Sequence, residues 1–70
     1  MTLAAADNLA DYTICGLTGG DRQAELLASF GLVEGTKLRV LSNYRNNRII
    51  RVRGARIALS HELSQQILVR

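Results

Sequence analysis

Seventy residues make one small domain, and a domain of this size buries only about 60% of the surface that its unfolded chain exposes. Apolar residues at 47% and charged residues at 21% are ordinary for a folded chain, and no apolar run reaches the ~18 residues of a membrane span. A single cysteine excludes an intrachain disulfide and suits a reduced, cytoplasmic setting, while nine Lys and Arg against six acids leave a charge of +3 that fits an acidic protein surface, a nucleic acid or an anionic membrane.

Residues 1–8 are Ala-rich and weakly patterned, and read as a tail or a frayed helical turn, with Leu3 and Leu9 able to pack on a core; the domain proper is expected over 9–70. No basic region precedes an apolar core here, so no signal peptide is expected. Asp11 to Leu17 reads as a first strand, with Thr13, Cys15 and Leu17 on one face and Tyr12 and Ile14 on the other. Gly19-Gly20 breaks it, and Asp21 is placed to cap or charge the start of a helix over Arg22 to Phe30. Leu27 and Phe30 lie three apart on that helix and are expected in the core; Leu26 lies about 100° from Leu27 and falls at the rim. Gly31 stands where a left-handed residue closes a helix, and Leu32 is expected to fold back onto it.

Thr36 to Ser42 and Arg48 to Leu59 form the expected meander. The second stretch reads as a hairpin around Gly54-Ala55 in a type II′ turn, with Val52 opposite Ile57, Ile50 opposite Leu59 and Arg53 opposite Arg56. A connection over Asn43 to Asn47 brings Val40 opposite Ile50 and Leu38 opposite Val52, and it also sets Arg39 against Arg51 and Lys37 against Arg53. Like charges directly opposite are mildly destabilising, so the outer face is basic at some cost to the fold. Ser60 can N-cap a short helix over His61 to Gln66, and Ile67-Leu68-Val69 is a last strand. The expected architecture is mainly β with short helices: a small five-stranded SH3-like barrel with one helix inserted after the first strand. Its core should include Leu27, Phe30, Leu38, Val40, Ile50, Val52, Ile57 and Leu59.

Three stretches carry a family resemblance: Gly19-Gly20, the run Leu27 to Thr36 with its Gly31 and Gly35, and the run Val52 to Ser60 with its Gly hairpin and Ile57-Ala58-Leu59. In order and spacing they resemble the FeoA family, whose members are small cytosolic partners of the ferrous-iron transporter FeoB. The resemblance implies an SH3-like barrel, a regulatory or assembly role in ferrous iron uptake and contact with FeoB, whose cytoplasmic part carries a G-protein domain. A related module forms the C-terminal domain of some metal-dependent repressors. The chain departs from the family pattern at Phe30, where Met or Leu is usual, and at Asn43 to Asn47, where prolines are usual.

No catalytic, cofactor or metal residues are assigned. Cys15 has no second cysteine, and His61 is the single histidine, so neither has the company that a metal site needs. Gly19-Gly20 lacks the Gly-Lys-Ser/Thr that follows in a phosphate loop. Ser60 and His61 are neighbours on a helix start rather than a nucleophile and its base. What remains is a partner-binding surface made of Leu26 at the helix rim and the basic stripe Lys37, Arg39, Arg51, Arg53 and Arg56. The expected function is a non-enzymatic FeoA-like accessory of a FeoB-type transporter, and any self-association is expected to be weak. The alternative is a small barrel that binds nucleic acid through the basic face with Tyr44 nearby; three aromatic residues in the whole chain count against it, because single-strand binders stack bases on aromatic rings.

Overall fold

The computed structural model describes residues 1–70. Eight elements follow in order: a 3-10 turn Leu3–Ala5, β1 (Ala10–Leu17), α1 (Asp21–Ser29), β2 (Lys37–Tyr44), β3 (Asn47–Val52), β4 (Ala55–Ser60), α2 (His61–Gln65) and β5 (Ile67–Val69). All five strands join one antiparallel sheet in the order β4-β3-β2-β1-β5. β1 serves both halves of the sheet. Ala10 to Thr13 pair with β2; Ile14 to Leu17 pair with β5, across a register shift between Ile14 and Gly16. The extra residue at that bulge is Cys15, which is turned out to solvent. Bulges bend and twist a strand, and this one curls the sheet around its core.

The core follows the alternation of the strands. Leu38, Val40, Ile50, Val52 and Leu59 are buried, as expected, together with Leu27 from α1. Ile14, Leu32, Ile67 and Val69 complete it. Leu3 from the opening turn is fully buried as well, and Thr2 bridges Leu68 on the free side of β5, whereas Leu9, expected to pack on the core, is exposed where the backbone turns at φ 61° into β1.

Two core assignments are corrected. Phe30 is half exposed, at 50%, because it is the C-cap of α1 and has left the helical spiral. The chain reverses at Gly31 (φ 80°), where Gly31 N–H bonds Ala28 O and Leu32 N–H bonds Leu27 O. That Schellman closure returns Leu32 beneath Leu27 and fills the place expected for Phe30. Ile57 is only partly buried: it pairs with Ile50 on the outermost strand, where cover is incomplete.

The hairpin turn is corrected too. Val52 pairs with Ala55 and Ile50 with Ile57, so the two-residue loop is Arg53-Gly54. Both residues have positive φ, 52° and 79°, the type I′ arrangement whose twist matches that of the flanking strands. The slip from the expected register is two residues, so every side chain keeps its face. Arg51, rather than Arg53, now faces Arg56.

The β2–β3 register agrees with expectation at Val40–Ile50 and Arg39–Arg51; a bulge at Leu41 then carries the strands to Tyr44–Asn47, and only Arg45-Asn46 remain as the loop. Helix α1 starts with Gly20 as its N-cap, so Asp21 charges the first turn but does not cap it. Ser60 does cap α2, its hydroxyl accepting from Leu63 N–H at 3.2 Å. No helix is long and apolar enough to cross a membrane.

Candidate partner-binding surface

Antiparallel pairing aligns one residue from each of four strands into a transverse rung: Asp11 on β1, Arg39 on β2, Arg51 on β3 and Arg56 on β4. All four side chains point away from the core and are exposed, except that Asp11 and Arg39 meet in a salt bridge at 3.2 Å. It is the molecule's one salt bridge, so Arg51 and Arg56 have no carboxylate within reach. Lys37 pairs with Thr13 in the neighbouring rung, and Arg53 extends from the turn beside it.

These side chains do not lie on a flat face. Lys37, Arg39, Arg51 and Arg53 line a cleft of about 580 Å³, with Asp11, Tyr12 and Arg70 on its other walls. Tyr12 is held in place by its hydroxyl, which accepts a hydrogen bond from Asp7 N–H at 2.9 Å. Arg56 is outside the cleft, one strand further along the rung. The expected stripe is therefore brought together in four of its five members.

Leu26 is exposed at 47% on α1, as its rim position requires, and lies outside the cleft. Phe30, the C-cap that follows the last turn, is exposed as well, so the C-terminal end of α1 carries an apolar ridge of two side chains. The two surfaces meet through Arg53, whose Nη1 lies 3.5 Å from where a Cβ on Gly31 would stand. A cation at this end of a helix is favoured by the exposed carbonyls of the last turn.

Phe30 and Asp11 are the members that sequence reasoning missed. For Phe30 the signal was present, since a glycine at C′ predicts that Leu32 folds back over the helix. For Asp11 there was none, because β1 and β2 are joined through a helix and no short turn sets their register.

The remaining candidates stay apart. His61 is exposed at the start of α2, and no three His, Cys, Asp or Glu side chains gather anywhere. Gly19 is packed tightly: a Cβ there would come within 2.5 Å of Gln66 Oε1, which itself accepts from Gln23 Nε2 at 2.6 Å. Its role is this close approach in a turn. Tyr44 is not among the cleft lining; it ends β2 beside the Arg45-Asn46 loop, with the Arg45 guanidinium 5.3 Å from its ring centre.

Among solved structures, one of an iron uptake regulatory protein, FeoA, superposes with a TM-score of 0.92 at 27% identity, covering 100% of this chain and 93% of that one. Zinc-bound ScaR gives a TM-score of 0.91 at 26% identity over 100% of this chain, which spans only 36% of that longer protein. The zinc complex of FeoA from Stenotrophomonas maltophilia, described as an SH3 domain protein, gives 0.84 at 20% identity, with 100% and 89% covered, and supports the SH3-like fold. No curated protein matches the chain in sequence. The sequence model of the FeoA domain, in contrast, matches residues 1–70, from the opening turn through the basic rung to β5, and the chain belongs to the FeoA family.

Proposed function

We propose that this chain is a non-enzymatic accessory of ferrous iron uptake that acts in the cytoplasm by binding the cytoplasmic part of a FeoB-type transporter. Membership of the FeoA family and full-length similarity to a protein described as an iron uptake regulator support the setting. The observation that carries the binding mode is the unpartnered ridge of Leu26 and Phe30, set beside a basic face. The ridge supplies apolar contact; Lys37, Arg39, Arg51, Arg53 and Arg56 steer an acidic partner toward it. Membership of the FeoA family, a family of small accessory domains rather than a known enzyme family, supports the non-enzymatic reading. The nucleic-acid reading loses support with Tyr44 at the far hairpin tip, because Tyr12 is then the one aromatic side chain on the basic cleft.

Binding of the purified cytoplasmic domain of the transporter, followed by surface plasmon resonance at two salt concentrations, tests the proposal. Leu26→Gln should weaken the complex by about tenfold, the size of a lost apolar contact, with little change in melting temperature. Joint reversal of Arg51 and Arg53 to Glu should slow association and flatten its salt dependence. A complex indifferent to both variants, or no complex at all, would overturn this reading.

A further inference from the structure

The basic cleft has a shape and a charge that steering alone does not require. Steering works from any exposed cation, whereas here five cationic side chains, Lys37, Arg39, Arg51, Arg53 and Arg70, line one concavity. Its volume of about 580 Å³ is that of a small-molecule site, lined mostly by polar and charged side chains and open to solvent on one side. Of the five, only Arg39 has an ionic partner, Asp11; the side chains of Lys37, Arg51, Arg53 and Arg70 donate no hydrogen bond within the protein. Cross-strand pairing sets Arg39 directly opposite Arg51, so two arginine side chains leave the same face of neighbouring strands, and only Arg39 has a carboxylate partner. Like charges so placed repel, and a multiply charged anion between them would turn the repulsion into attraction.

We propose that this cleft is a binding site for a small, soluble polyphosphate-bearing anion. Arg51 and Arg53 supply planar donor forks suited to phosphate oxygens, and Lys37 adds a point charge from the neighbouring strand β2. Asp11 holds Arg39 at the cleft edge and limits the site to ligands that do not press a phosphate against β1. The site shares Arg51 and Arg53 with the steering role above, but its test needs no transporter, so failure of one reading leaves the other standing.

Titration of the intact protein with inorganic tripolyphosphate, followed by amide NMR, provides the test. Saturable one-to-one shifts centred on Thr13, Lys37, Arg53 and Gly54 are expected. Joint reversal of Arg51 and Arg53 to Glu should weaken binding by at least about tenfold, while Arg45→Glu, at the far end of β3, should change it by less than about twofold. Non-saturating shifts, or equal loss from Arg45→Glu, would mean diffuse charge attraction and would overturn the proposal. So would tight binding to a single-stranded oligonucleotide or to phosphatidylglycerol vesicles that tripolyphosphate does not displace. Circular dichroism of each variant separates lost binding from lost fold.

Discussion

Arg53 holds a left-handed backbone at the tip of the β3–β4 hairpin, a position that asparagine or glycine adopts with less strain. Its side chain lines the basic cleft, so a locally unfavourable residue stands where charge is wanted. Arg53→Asn should therefore raise stability, by up to about 1 kcal/mol, while removing a cation from the cleft. At the next position Gly54→Val should cost on the order of 1–3 kcal/mol, because a β-branched residue is strained at φ 79°, and Ala55→Gly, already in the strand, should cost much less. Urea unfolding of the three variants checks this; equal losses at 54 and 55 would contradict the turn. The positive φ at Gly54 was legible in the sequence as glycine before an alternating strand. The second positive φ was not, since nothing about an arginine announces it.

At the scale of elements, strand content and the faces of the strands were legible because alternation survives a slip of two residues. The local β2–β3 register was legible for the same reason, at Val40–Ile50. The pairing of β1 with both β2 and β5 was not, since helices intervene. Nor was the anchoring of the opening turn. Arg48 shares the inward phase of Ile50 and Val52 and is 6% exposed, with no carboxylate beside it. Its guanidinium instead donates to Asn8 Oδ1 at 3.0 Å and to Ala4 O at 2.5 Å. A cation in the inward phase of a strand was the signal that something must meet it. Arg48→Ala should cost about 1.5–3 kcal/mol, the range for hydrogen bonds to a charged group, and should free the first residues before the rest of the fold. Hydrogen exchange at the Ala5 and Ala6 amides, which bond to Thr2 O and Leu3 O, should then quicken more than exchange in β3. Uniform quickening would show that Arg48 supports the whole sheet instead.

At the scale of the molecule, 70 residues leave a stability of only a few to about 10 kcal/mol. Val52 is 2% exposed at the end of β3, against Leu38 and Leu59 in one continuous core. An unpaired carboxylate there would cost much of that stability, so Val52→Asp should leave the protein unfolded or nearly so by near-ultraviolet circular dichroism. An unchanged melting temperature would exclude the inward placement of β3. The SH3-like barrel was legible from strand count, helix position and the Gly31 and Gly35 spacing, because each follows from short-range chemistry. The cleft was not: its walls come from β1, β2, the β3–β4 turn and the last residue, and only the folded sheet brings them together.

The two ends of the chain are laced to each other. Val69 N–H bonds Met1 O at 2.8 Å, and the Met1 amino group donates to Val69 O at 3.3 Å. A pulling force applied through Met1 and Arg70 would therefore load these bonds one after another, like the teeth of a zip, and never all at once in shear. Mechanically the domain should yield from its seam at low force. The same closeness means that a short peptide could join the ends into a ring, with new ends opened at the exposed Arg45-Asn46 tip.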